Sequence, residues 1–135
     1  MRLRIETDQL LAGLTAFELK SRACIANRGA SAAKDWEDYA KQNRPWTDRT
    51  GNARRTLEGV AGWVHSDGSG SFAPAAPLTG LFSCDSFCVG VEGHMPYSVF
   101  LELGYGRKYS ILSPTVHHFA PSVLLGFADC LCNMK

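Results

Sequence analysis

A chain of 135 residues suits one domain that buries roughly two thirds of its unfolded surface, so neither a metal nor a disulfide is required for folding. Its composition, 45% hydrophobic and 20% charged, is that of an ordinary globular protein, and a net charge of +1 excludes a strong general field for nucleic acid or for an anionic membrane. No apolar run approaches the roughly 18–20 residues that span a bilayer, no signal-peptide apolar segment follows Arg2 and Arg4, and five cysteines without a secretory context predict free thiols in a cytoplasm.

The chain opens with an amphipathic helix. Thr7 or Asp8 can cap it, and Leu10, Leu11, Leu14, Phe17 and then Cys24 or Ile25 follow at spacings of three and four. Small residues from Ala23 to Ala33, including Gly29, allow a bend. Helical character resumes through Trp36, Tyr39 and Ala40, with Asp35, Glu37, Asp38 and Lys41 towards solvent, and ends by Arg44 because the residue before Pro45 is pushed out of the α region. Thr47–Asn52 has turn composition, and Thr50 or Asn52 can cap a short turn holding Ala53, Arg54 and Arg55.

Val60–His65 reads as a strand, 66–80 as a flexible loop, and Leu81–Glu92 as the partner strand in an antiparallel pair. Pro96 suits the first position of a two-turn helix stopped by Gly104 and Gly106. A short strand at Lys108–Leu112, a helical turn at Pro114–Phe119 and a last amphipathic helix from Pro121 to Cys132 complete the pattern. The expected fold is therefore α+β. It is one domain over 1–135, with an N-terminal helical region (1–44) packed on a small antiparallel sheet carried, with a short helix and a C-terminal helix, by 45–135.

No residue pattern carries catalysis, and no catalytic, cofactor or metal site is expected. Cys84 and Cys88 lack the tight spacer of a zinc knuckle, and Cys130, Cys132, His117 and His118 form no paired ligand motif. Gly68-Ser69-Gly70 lacks the strand-to-helix context of a nucleophile elbow, and no phosphate-binding glycine loop occurs. Arg44, Arg49, Arg54 and Arg55 beside Trp46 form the strongest cationic cluster. They allow a nucleic-acid-binding module, but the interleaved Asp48 and Glu58 favour pairing with carboxylates within or between subunits, with Glu102 as the proposed partner of Arg54. Trp36 and Trp63 are expected as core or interface anchors, and Trp46 at an interface or under the polar turn.

Three segments in order, Arg44-Pro-Trp-Thr-Asp-Arg-Thr-Gly-Asn-Ala-Arg-Arg55, Gly93-His-Met-Pro-Tyr-Ser-Val-Phe-Leu-Glu102 and Lys108-Tyr-Ser-Ile-Leu-Ser-Pro-Thr115, resemble the HK97 gp10-like family of tailed-phage neck and tail-completion proteins. The resemblance covers about residues 30–130. It implies a structural virion protein, not an enzyme, that forms a homo-oligomeric ring, a hexamer by analogy, at the head–tail neck or completes the head-proximal end of the tail. Implied partners are other phage neck and tail proteins and genomic DNA passing through the lumen without sequence recognition, with no membrane involved. The location is then the head–tail junction of the virion, and the host cytoplasm during assembly. By position the matching residues are Asp48, Arg49, Thr50, Gly51, Arg54, Tyr97, Leu101, Glu102 and Gly104. Together with Trp46 and Arg55 they are the candidates for architecture and subunit contact. The chain departs from the pattern after Glu102, where many relatives carry Gly-Thr and this sequence reads Leu103-Gly104-Tyr105-Gly106. A small hydrolase built on His94, His117 or His118 with a carboxylate is the remaining alternative.

Overall fold

The computed structural model describes residues 7–64 and 86–134. His65, Cys84, the expected loop at 66–80 and the first part of the second strand, 81–85, lie outside the described residues. Helix α1 (Thr7–Gln42) is followed by the single turn α2 (Asn52–Arg55), strands β1 (Leu57–Val64) and β2 (Ser86–Gly93), helix α3 (Ser98–Leu103), a tight turn at Tyr105–Arg107 and helix α4 (Leu112–Cys132). The fold is α+β, as expected. The two strands pair antiparallel, with Leu57 opposite Gly93, Val60 opposite Gly90 and Trp63 opposite Phe87.

Helix α1 has 36 residues, about 54 Å at 1.5 Å per residue. It runs unbroken through Gly29, where a bend was allowed. The missing side chain serves packing instead: a Cβ at Gly29 would lie 2.1 Å from Cε1 of Phe87 on β2, and one at Gly59 of β1 would lie 1.8 Å from the Ala33 carbonyl oxygen. Strand β1 thus approaches α1 more closely at Gly59 than any residue but glycine permits, while Gly29 makes room for the Phe87 ring of β2. Glu37, expected in solvent, accepts a hydrogen bond from the Gly59 amide (3.2 Å) and holds Lys41, fastening the same contact from its polar side.

Helix α4 lies antiparallel to α1. Trp36 meets Phe119, with ring centroids 6.2 Å apart, and Tyr39 stacks on His118 at 4.8 Å. At the other end Cys24 is bonded to Cys130, their Cα atoms 6.5 Å apart. This corrects the expectation of free thiols for that pair, whereas Cys88 and Cys132 are free. Linear spacing conceals the bond because its partners are 106 positions apart; only the antiparallel docking of α1 and α4 sets them opposite.

Two further expectations fail on α4. No strand forms at Lys108–Leu112, and the helix begins at Leu112 and passes through Pro121 instead of starting there. Proline lacks an amide proton, so Pro121 forfeits the bond to the His117 carbonyl, a local cost that the helix absorbs.

The core is small. Ala33, Trp36, Ala40, Leu57, Val60, Ala61 and Ile111 are its buried hydrophobic residues. Ala40, Leu57 and Ile111 form its centre, with Trp46, Val91 and Leu112 packed around them. The apolar stripe that sequence periodicity assigned to the interior is bare: Leu10, Leu11, Leu14 and Phe17 are 61%, 59%, 57% and 56% exposed. Among the described residues, the contacts of α1 with the strand pair run from Arg22, over Trp63, to Glu37 at the Gly59 amide.

Replacement of Gly59 by Ala is expected to destabilise the fold by about 2–3 kcal/mol, because its Cβ meets backbone that cannot turn aside. Gly13→Ala, where a Cβ meets nothing within 4 Å, is expected to stabilise by about 0.5–1 kcal/mol; denaturant midpoints check both signs. Peptide mapping without reductant should recover Cys24 linked to Cys130. Cys24→Ser should then lower stability by about 4–5 kcal/mol under oxidising conditions, the scale for a loop of this length, and by far less in reductant.

Candidate assembly surface

The polar joint between α1 and β1 is organised by one carboxylate. Asp48 Oδ2 lies 2.9 Å from Nη2 of Arg44 and 3.5 Å from Nε of Arg54. Arg44 also donates from Nη1 to the Lys41 carbonyl (2.6 Å), covering a bare acceptor at the end of α1. Arg55 turns back on Asn52 Oδ1 (2.9 Å) and on the Thr50 carbonyl (3.3 Å). Gly51, with φ 71°, takes the left-handed conformation that opens α2 without any side-chain cap. Arg49 and Thr50 are exposed, while Trp46 is half-buried against the Ala40, Leu57 and Ile111 centre. Partly exposed ion pairs contribute little energy, about 0–1 kcal/mol each, so Asp48 fixes the path of the joint more than it stabilises the fold.

The pairing expected between Arg54 and Glu102 is replaced by another arrangement. Arg54 goes to Asp48, and Glu102 turns to the start of α4. Its Oε1 accepts from Ser110 Oγ (2.6 Å) and the Ser113 amide (2.8 Å), and its Oε2 from the amides of Ile111 (3.0 Å) and Leu112 (3.1 Å). The capping position of α4 is Ile111, whose side chain has no acceptor. A carboxylate from α3 therefore supplies the cap that α4 cannot make for itself, at the end of the helix where the dipole favours negative charge. Two of these amides, those of Ile111 and Leu112, belong to the expected strand at Lys108–Leu112.

Tyr97 caps α3 through its carbonyl, which accepts from the Phe100 and Leu101 amides (3.0 and 3.1 Å), and Gly104 ends the helix in extended backbone. Trp46 and Ala53 of the joint border the same crevice as Leu101 and Glu102 of α3. The structure thus brings the two separated segments, 44–55 and 97–104, side by side. The other side of α3 is bare: Val99, Phe100 and Leu103 are 62%, 71% and 64% exposed, and Tyr105 after them is 80% exposed.

The histidines are distributed over different elements. His94 Nε2 lies 3.1 Å from Glu58 and 4.0 Å from Glu92 at the open end of the strand pair, and His118 stacks on Tyr39. Among the described residues no group of three or more His, Cys, Asp or Glu side chains is placed to hold a metal ion, and no helix is long and apolar enough to cross a membrane. The geometry is one of clasped backbone and uncovered apolar surface. Sequence reasoning missed the clasp because acceptor and donors are eight to eleven residues apart, although a helix start at Ile111 without a polar cap is the signal that a donated one is needed.

Burial alone would raise the Glu102 pKa, but the Ser110 hydroxyl and the Ser113, Ile111 and Leu112 amides together outweigh it and hold the carboxyl below its ordinary value. A depressed folded-state value gives stability that is complete above the unfolded pKa, about 4.3, and is lost as pH falls through the folded value. Thermal unfolding should therefore show a fall in stability below about pH 4.3 that Glu102→Gln removes in part. At neutral pH that variant should be less stable by about 1–2 kcal/mol. Comparisons of the chain with family models, curated proteins and solved structures give no match.

Proposed function

We propose that this chain is a structural virion protein of a tailed phage, or of a prophage, that forms a ring at the head–tail neck or completes the head-proximal end of the tail so that DNA can pass. The reading rests on the ordered resemblance of its three segments to neck and tail-completion proteins. The structural observation that supports it most is the imbalance of apolar surface. Among the described residues, fourteen large apolar or aromatic side chains are exposed, against seven buried hydrophobic residues. A soluble monomer rarely leaves contiguous apolar patches of this kind uncovered, whereas a subunit of an assembly buries them against its neighbours.

Helix α4 adds to this. It is apolar on nearly every side, yet Leu124 and Leu125 stand 68% and 67% exposed; a helix of that kind belongs in an interior. The electrostatics are compatible with the same role. Arg44 and Arg54, which a nucleic-acid-binding module would need, are engaged by Asp48, and a net charge of +1 gives a passage on which DNA phosphates would not stick. In this reading the subunit assembles in the host cytoplasm and resides at the junction, with DNA in the lumen and other neck and tail proteins above and below.

Light scattering and negative-stain imaging of the purified chain, alone and with neck proteins encoded beside it, should reveal rings with an open lumen. Monomers under both conditions would remove the proposal.

A further inference from the structure

We propose that neighbouring copies join head to tail, the N-terminal arm of α1 in one subunit receiving the knob formed by α3 and the Tyr105–Arg107 turn of the next. The inference rests on the ring reading and deepens it by naming the two surfaces that meet.

The arm is the first third of α1. Helix α4, running antiparallel, ends beside Cys24 through Cys130, and the strand pair reaches Arg22, whose guanidinium lies 5.0 Å over the ring of Trp63. Residues 7–19 continue past these contacts for about 20 Å, with Met134, after the end of α4, bordering a crevice along Gly13, Ala16 and Phe17. Leu10, Leu14 and Phe17, at spacings of four and three, form one stripe with Leu11 beside it, and all four are more than half exposed.

The knob stands at the other end of the molecule, where Leu101 borders the same crevice as Trp46, beyond the C-terminus of α1. Val99, Phe100, Leu103 and Tyr105 point away from the core. Its backbone is unusual. Tyr105, Gly106 and Arg107 have φ of 52°, 65° and 63°, three consecutive left-handed residues of which two carry side chains. Each non-glycine residue in that region is strained, and such strain is found where a surface must be presented in one shape. This is also the stretch in which the chain departs from the resembled pattern.

Charge complements the apolar match. From Thr7 to Leu19 the arm contains Asp8 and Glu18 and no cation. Glu18 is held by Arg22 at 3.2 Å, so among the described residues Asp8 is the arm's open charge. The knob carries Arg107 and Lys108, and its own acid, Glu102, is spent on the amides of α4. A contact between two different surfaces at opposite ends of one subunit is heterologous, and it propagates into a ring or a filament instead of closing as a two-fold dimer.

The test uses the full chain with one surface spoiled at a time, Leu14→Glu on the arm and Phe100→Glu on the knob, with circular dichroism to confirm that both fold. Each variant alone should associate about thirtyfold more weakly than the wild type, or worse, in sedimentation velocity. An equimolar mixture, which retains one intact arm and one intact knob, should form one-to-one dimers and nothing larger. Variants that assemble like the wild type, a mixture that stays monomeric, or a wild type that is monomeric at every concentration would each overturn the contact. Rings that survive both substitutions would sink the contact and leave the ring reading standing. Open filaments abolished by either substitution would support the contact and sink the ring.

Discussion

The Glu102 carboxylate at the start of α4 is the interaction on which the remainder of the architecture depends. Helix α4 begins at a residue, Ile111, that offers its own amides no acceptor, and three of those amides with one hydroxyl converge on a side chain from α3. Unpaired amides at a half-buried helix end would each carry a desolvation cost of about 1–3 kcal/mol, so the clasp removes a penalty as well as adding a favourable contact. It also fixes geometry. With α4 held at its N-terminus by Glu102 and at its C-terminus by Cys130, the helix has one alignment along α1, and α3 is pinned with its apolar side outwards.

The same constraint explains which parts of the fold were legible in the sequence. Local patterns dictated α1, the strand pair and α3, because periodicity, turn residues and the proline after Arg44 act over a few residues. What escaped depended on distant partners. The α4 start required the amides of Ile111, Leu112 and Ser113 to be claimed by a residue up to eleven positions away. Gly29 read as a weak point in a helix, yet it is the place where Phe87 enters. Cys24 and Cys130 carried no mutual signal until the antiparallel docking of α1 and α4 was known. Of the candidate residues, Asp48, Arg54 and Glu102 were recognised as charged and structural, but their partners were misassigned: charge pattern reports that an ion pair is wanted, not which of two nearby carboxylates a guanidinium will reach.

Periodicity also over-read the first turns of α1. A stripe of Leu10, Leu14 and Phe17 means that one face of the helix must leave water, and the sequence does not say whether the covering surface belongs to the same chain. Among the described residues nothing covers it, and each of the three is more than half exposed. Burying a leucine or phenylalanine contributes about 1.5–3 kcal/mol, so three or four such residues are comparable with a large part of a small domain's entire stability. Left in water these side chains cost solubility, a cost that the proposed subunit contact would remove.

The joint at Arg44–Arg55 shows how far charge can be taken as evidence of a partner. As a string it presents four arginines around a tryptophan, which would suit a phosphate backbone. In three dimensions Asp48 draws in two of them, Arg55 folds back on its own turn, and Trp46 goes under the joint to meet Ala40 and Leu57 instead of stacking outwards. Three of the four, Arg44, Arg54 and Arg55, shape a loop that carries few regular hydrogen bonds, and Arg49 stays exposed; that loop sets the angle at which α1 leaves the strand pair. The cationic cluster is therefore a consequence of having to order a non-repetitive segment between two rigid elements. In the proposed ring, subunit contact would draw its affinity from apolar surface and its orientation from the joint and the clasp behind it.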